Sequence, residues 1–211
     1  AGSAIQSDQN APAGLLDMGI IKQSPGRVLL SGNNNYRGGT QINGGTLAIS
    51  SNSNLGNTAG GISLNGGTLE AINTLSSART ITLPGDGTVN VDPSSTLILS
   101  GPITGPGNFT KQGPGTLNLT GANNYTGGTT IGNGTLALSG AGTLPSGGPV
   151  EIDGGNLDLS GMTAPSQTIG DLSGSGGTVN LGGKTLIEGT ANNTSYAGAI
   201  TGPGGFTKQG T

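Results

Sequence analysis

The chain has 211 residues, 45 of them Gly, with only 2% aromatic and 8% charged side chains, a net charge of −3, and neither His nor Cys. These absences exclude histidine-based general bases and triads, zinc and iron–sulfur sites, c-type haem and disulfides, and a chain so rich in Gly, Ser, Thr and Asn does not support long helices. Seven scattered Lys and Arg form no patch for nucleic acid or for an anionic membrane, and no apolar run approaches the ~20 residues that span a bilayer.

In chain order, the start Ala1-Gly2-Ser3-Ala4-Ile5 has no positive n-region leading into an apolar h-region, so the chain reads as a piece of a longer protein and residues 1–21 as an N-terminal segment or cap. A short beat follows, in which Gly-Thr-Leu or a close variant precedes a Leu-x-Leu alternation. It falls at Arg27-Val28, Thr46-Leu47, Thr68-Leu69, Thr88-Val89, Thr116-Leu117, Thr135-Leu136, Asn156-Leu157 and Thr178-Val179, with spacings of 19, 22, 20, 28, 19, 21 and 22 residues. A beat near 20 predicts one coil of a β-solenoid, each strand pairing with the coils above and below at ~4.8 Å. About ten coils would make a rod roughly 50 Å long. The 28-residue gap is expected to hold one extra strand or loop. Leu47 with Ile49, and Leu136 with Leu138, face one side while Ala48 and Ala137 face the other. Asn43-Gly44-Gly45, Asn65-Gly66-Gly67, Asn133-Gly134 and Asp153-Gly154-Gly155 suit corners that need positive φ. Asn-Gly between alternating strands is also a hairpin signal, which leaves an antiparallel sheet or barrel as the rival architecture. Collagen is excluded because Gly does not recur at every third position, and charge-driven disorder because so few residues are charged.

A longer period overlies the beat. Lys22-Gln23 through Asn34-Asn35-Tyr36 to Gly45-Thr46-Leu47-Ala48 aligns without a gap, at an offset of 89, on Lys111-Gln112 through Asn123-Asn124-Tyr125 to Gly134-Thr135-Leu136-Ala137. A second pair, beginning Thr104-Gly105-Pro106-Gly107 and Thr201-Gly202-Pro203-Gly204, continues to Gly113 and Gly210 with one difference in ten positions. The chain therefore divides into repeat units 22–110 and 111–207 and the start of a third, 208–211.

The run Tyr196 to Gly210, and Lys111-Gln112-Gly113-Pro114-Gly115-Thr116-Leu117 through Asn124-Tyr125-Thr126-Gly127 to Ile131 and Gly134-Thr135-Leu136, resemble the passenger-associated transport repeat of bacterial autotransporters. The resemblance covers 22–49 and 104–138 well and 192–211 in part; the first copy departs from it with Ile20-Ile21 where Phe109-Thr110 stand later, and with Ser24 in place of Gly113. It implies an all-β, right-handed parallel β-helix in a surface-exposed or secreted passenger, anchored through a C-terminal outer-membrane barrel of the parent chain. It also implies adhesion to host cell-surface or extracellular-matrix components, with the repeats helping secretion and folding. A chain without Cys cannot be locked by a periplasmic disulfide, which suits such export.

Candidate sites are few. Glu151, Asp153 and Asp158 alternate with apolar residues and are expected on one outward face as solvated carboxylates; no metal or other cofactor is assigned. A glycan lyase or hydrolase would need a close carboxylate pair, whereas Arg79 is isolated and Asp86 and Asp92 merely flank a strand, so no enzyme is expected. Tyr36, Tyr125 and Tyr196 are taken as equivalent points of the repeat, each packing over a corner with its hydroxyl bonded at the rim rather than gripping sugars. The Asn-x-Thr triplets at Asn108, Asn118 and Asn192 are discounted as glycosylation sites in so Asn- and Thr-rich a chain, and Gly105-Pro106-Gly107 and Gly174-Ser175-Gly176-Gly177 are turns rather than phosphate loops. Thr80-Ile81-Thr82 is the one clear Thr-x-Thr strand, which ranks an ice-binding array last. The candidate ligand-binding loops lie near 100–106 and 187–196, with Pro102, Thr104, Asn192, Asn193 and Tyr196 as contact residues, because coil corners tolerate functional insertions. The chain is expected to be monomeric, with no membrane insertion of its own.

Overall fold

The computed structural model describes residues 18–210. Its coils trace three sides of a prism. Strand β1 (Ile20–Lys22) lies on the first face and β2 (Arg27–Leu30) on the second; one coil on, β3 (Thr40–Ile42) and β4 (Thr46–Ile49) stack on them, and a 3-10 turn, Asn52–Leu55, occupies the third face. The next three coils each fill all three faces, with β5 (Ile62–Leu64), β6 (Thr68–Ala71) and β7 (Leu75–Ser77), then β8 (Ile81–Thr82), β9 (Gly87–Val91) and β10 (Thr96–Leu99), then β11 (Ile103–Thr104), β12 (Phe109–Gln112) and β13 (Thr116–Leu119). In the sixth coil, β14 (Thr129–Ile131) and β15 (Thr135–Gly140) are preceded on the first face by a single bridge, Ala122 to Thr143. Strand β16 (Val150–Met162) turns a corner within itself and spans the second and third faces, as does β18 (Leu172–Asn180) after β17 (Ser166–Ile169). The last elements are β19 (Thr185–Glu188), β20 (Ala199–Thr201) and β21 (Gly205–Lys208).

Every strand pairing is parallel, which excludes the antiparallel rival. The chain is an all-β parallel solenoid of about nine turns of ~21 residues, one fewer than the beat suggested. At ~4.8 Å per coil the stack is about 43 Å long. Residues 1–17 of the expected N-terminal segment lie outside the described residues, while Ile20 and Ile21 already belong to β1.

The core is a set of columns in which like stacks on like. On the third face Leu75, Leu97, Leu117, Leu136, Leu157 and Val179 are in register from coil to coil, and on the first Ile62, Ile81 and Ile103 are. Each such side chain buried contributes roughly 1.5–3 kcal/mol. Corners turn where Gly permits it: Gly45, Gly66, Gly134 and Gly154 have φ of 63°, 86°, 64° and 129°. Close approach explains Gly107, where a Cβ would meet the Gly85 carbonyl oxygen at 1.9 Å. Ala48, in the outward row between Leu29 and Glu70, is nonetheless fully buried.

The two repeats are not stacked on one another. Strand β1, on the first face, corresponds in sequence to β12, on the second; β2 and β4, on the second, correspond to β13 and β15, on the third. An offset of 89 residues is therefore about four and a third coils of ~21 residues, so equivalent residues move on by one face. The same shift accounts for the 28-residue gap. Between Val89 and Leu117 the beat crosses from the second face to the third, and the extra element it passes is β12, a full member of the stack.

Candidate binding surface

Residues left pointing outward by the alternation form ladders along the rod. On the second face Thr46, Thr68, Thr88, Thr110 and Thr130 are neighbours in register over five coils, with Arg27 below them and Glu151 and Ser173 above. A parallel row of Glu70, Asn90 and Gln112 runs beside them, and a shallow open groove lies between the rows. Arg27 Nε donates to Glu70 Oε2 at 2.6 Å across that groove, on exposed ground where such a pair is worth little. A second ladder, Thr96, Thr116, Thr135, Asn156 and Thr178, runs up the third face. Counting Thr-x-Thr along single strands misses both, because the neighbours lie 19–22 residues apart. Chemically these are neutral hydroxyls and amides at ~4.8 Å intervals, suited to many weak hydrogen bonds rather than to enclosing one small molecule.

The acidic residues do not gather. Glu151 and Asp153 lie on the second face, but Asp158 has passed the corner of β16 onto the third, contrary to the expectation of one shared face. Asp153 Oδ1 accepts from Ser175 N at 3.0 Å and Ser175 Oγ at 2.9 Å, and Asp158 Oδ1 from Ser160 N and Asn180 Nδ2, both at 3.0 Å. Among the described residues no group of three or more Asp and Glu could hold a metal ion. Asp86 and Asp92 also serve locally, accepting from Asn108 Nδ2 at 2.8 Å and Asn90 Nδ2 at 3.2 Å.

Arg79 is a corner staple. Its buried guanidinium donates through Nη1 to the carbonyls of Asn57 and Gly60 at 2.5 and 2.6 Å, through Nη2 to Gly56 at 2.7 Å, and through Nε to Asn52 Oδ1 at 3.0 Å. Burial pulls its pKa down, and carbonyl dipoles rather than a carboxylate solvate the charge.

The repeat lysines behave alike. Lys22 and Lys111 occupy inward positions of the alternation, and Lys111 stacks between Val89 and Ile131 with no exposed surface. Its Nζ donates to the carbonyls of Gln112, Gly113 and Asn133 at 2.8, 2.7 and 3.2 Å, while burial lowers its pKa to about 8. Lys22 Nζ reaches the carbonyls of Ser24 and Gly44 in the same manner. Lys208, in the last strand, bonds the Thr190 carbonyl and pairs with Glu188 at 3.5 Å. Sequence reasoning overlooked these cages; their signal was a Lys standing where the period-2 alternation calls for an apolar residue.

Tyr36 and Tyr125 are buried, each with its hydroxyl on the Thr four residues on, Thr40 at 2.7 Å and Thr129 at 2.6 Å. Tyr125 also packs on Phe109 at a centroid distance of 5.7 Å, and burial raises both phenol pKa values. Neither ring is offered to a sugar. Tyr196 is not their equivalent: counted back from Phe206 as Leu99 is from Phe109, it aligns with Leu99, it bridges Gly174, and its buried hydroxyl has no partner. The Thr that serves the other two is absent four residues on, where Ile200 stands.

The candidate contact residues fall in two places about four coils, or ~19 Å, apart along the axis. Pro102 is exposed at a tight corner and Thr104 ends β11, so 100–106 form a corner and a strand rather than a projecting loop. Residues 189–198 replace a second-face strand with an extended segment, exposed at Asn192 and Asn193 and tied down where Asn192 Nδ2 donates to Asp171 Oδ2 at 2.8 Å.

Two stretches, 20–49 and 109–138, match the passenger-associated-transport-repeat family model. The chain thus carries two copies of the passenger-associated transport repeat of autotransporter passengers. The matched stretches are β1 to β4 and β12 to β15, the sets of strands that occupy successive faces. Over 138 residues, 64% of the chain, it is 40% identical to the adhesin BmaC autotransporter of Brucella suis biovar 1 (strain 1330). The chain spans only 4% of that protein. No solved structure matches it.

Proposed function

We propose that this passenger segment contributes to bacterial adhesion, presenting its outward ladders to host cell-surface or extracellular-matrix components from a rod held at the cell surface by the parent chain's outer-membrane barrel. The observation that carries the reading is the uninterrupted Thr ladder of the second face, five coils of unpaired hydroxyls on a segment related to an adhesin. Contact would be made by avidity over a long, weakly charged surface, with the corners holding Pro102 and Thr104 and the segment holding Asn192, Asn193 and Tyr196 as further points of attachment. The reading includes no catalytic step and no metal.

A second reading, a stalk that spaces other parts of the passenger and assists secretion, is favoured by the inward cages. Lys22, Lys111 and Arg79 direct their hydrogen-bonding capacity into the fold rather than toward a partner. One experiment separates the two. The purified segment is titrated on epithelial cells and a matrix-protein panel beside another β-solenoid of similar charge. Saturable binding that is competed by unlabelled segment and weakened by Thr88→Asp and Thr110→Asp supports adhesion; none at micromolar concentration leaves a stalk.

A further inference from the structure

The chain holds three Asn-Gly pairs at corners: Asn43-Gly44, Asn65-Gly66 and Asn133-Gly134. Such a pair is open to intramolecular attack, because Gly has no Cβ to hinder its amide nitrogen from reaching the preceding side-chain carbonyl carbon. The fold treats the pairs differently. Gly66 N–H is committed to the Asp86 carbonyl oxygen at 2.6 Å, which ties up the nucleophile. Gly134 N–H instead donates to the carboxamide Oδ1 of Asn133 itself, at 2.7 Å. Among the described residues Asn133 is the one asparagine whose side chain receives the amide of the glycine after it. The bond folds the Asn133 side chain back over the amide nitrogen that attacks it, whereas the bond of Gly66 draws its nitrogen toward another coil, and Asn133 is exposed, so that solvent and base reach it.

A second contact acts on the same peptide group. The carbonyl joined to Gly134 N is that of Asn133, and it accepts from the buried Lys111 ammonium at 3.2 Å. A cation on the carbonyl oxygen favours negative charge on the amide, so the N–H of this peptide ionises more readily than an ordinary one. The Gly134 carbonyl is fixed in turn by Asn156 N–H at 2.8 Å, so both sides of the corner are held.

We propose that Asn133 is a site of spontaneous deamidation, promoted by Lys111. Base removes the Gly134 amide proton, the nitrogen forms a bond to Asn133 Cγ, and the carboxamide nitrogen leaves as ammonia, taking its third hydrogen from solvent. The product is a five-membered succinimide. Water adds to one of its two carbonyls and opens the ring to aspartate or isoaspartate, so the net change is one water consumed and one ammonia released, with no oxidant or reductant. The aspartate product places a carboxylate on the residue whose carbonyl Lys111 already holds, at a cage that has no acidic partner of its own. The isoaspartate product adds a backbone methylene at the turn into β15.

The test ages the folded segment at neutral pH and maps it by peptide mass spectrometry, with enzymatic isoaspartate labelling. Acid replaces amide at Asn133 about tenfold faster than at Asn65, equivalent to 1.4 kcal/mol, and Asn133→Gln removes the labelled product. In denaturant the Asn133 and Asn65 rates converge. Lys111→Met, folded by circular dichroism, slows conversion at Asn133 and leaves Asn65 unchanged. Equal rates at the two sites in the folded wild-type chain overturn the proposal whatever that variant does, and an unchanged Asn133 rate in folded Lys111→Met overturns the role of Lys111.

Discussion

Burying Lys111 without a carboxylate makes stability depend on alkaline pH in a direction opposite to that of most lysines. Its folded pKa is about 8, below the 10.5 of the unfolded chain. Below about pH 8 both states carry the proton and Lys111 contributes no slope. Between about 8 and 10.5 the unfolded chain holds a proton that the folded chain has released, so stability rises with pH, by about 3 kcal/mol over the whole window. Tyrosine limits the climb. Burial raises the phenol pKa values of Tyr36, Tyr125 and Tyr196, so above their ordinary value of 10.0 the unfolded chain loses those protons first and stability falls again. Urea unfolding followed by far-ultraviolet circular dichroism should therefore give a maximum near pH 10, roughly 2 kcal/mol above the value at neutral pH. In Lys111→Met the rise disappears and the fall remains. Parallel profiles for the two proteins would refute the reasoning, and would mean that the three carbonyls solvate the ammonium as well as water does.

Other consequences are testable in the same assay. Tyr125→Ala should destabilise by roughly 3–5 kcal/mol through the cavity beside Phe109, and Tyr125→Phe by only about 1 kcal/mol through the bond lost to Thr129, as read from unfolding midpoints. Arg79→Met removes the donors from a buried set of carbonyls, and should raise amide hydrogen exchange across residues 52–60 while leaving β16 to β19 protected. Gly107→Ala should fail to fold, since its Cβ would lie 1.9 Å from the Gly85 oxygen, whereas Gly147→Ala, with nothing within 4 Å, should keep its melting temperature within a few degrees.

Much of this architecture could be read from residue order, because two local codes suffice for it. Period-2 alternation, as in Thr116-Leu117-Asn118-Leu119, marks an inward column, and Asn-Gly or Asp-Gly at intervals near 20 marks corners. What stayed hidden depends on phase. Whether Leu117 stacks on Val89 or on Leu97 is decided by which face each strand occupies, and the structure pairs it with Leu97. The Thr ladders share that dependence, since Thr88 and Thr110 become neighbours only once β9 and β12 are in register. Charge misled for another reason. Lys111 and Arg79 look like surface residues by type, yet their partners are main-chain carbonyls, which carry no signature in the sequence. Tyr196 resembles Tyr36 and Tyr125 in following an Asn pair, and its alignment with Leu99 emerges only when counted from Phe206.

The fractional number of coils in each repeat makes unit length a steering device. The first two copies are 89 residues apart and their equivalent strands differ by one face, a change in azimuth of about a third of a revolution. The similar stretch around Phe206, 97 residues after Phe109, comes back to the first face in β21. Eight extra residues, about one side of the triangle, are enough to re-aim everything that follows without breaking a single stacked column. Insertions of that size behave like a click of a rotary dial: the core accepts them, and the chemistry carried by every later repeat looks out in a new direction from the same shaft.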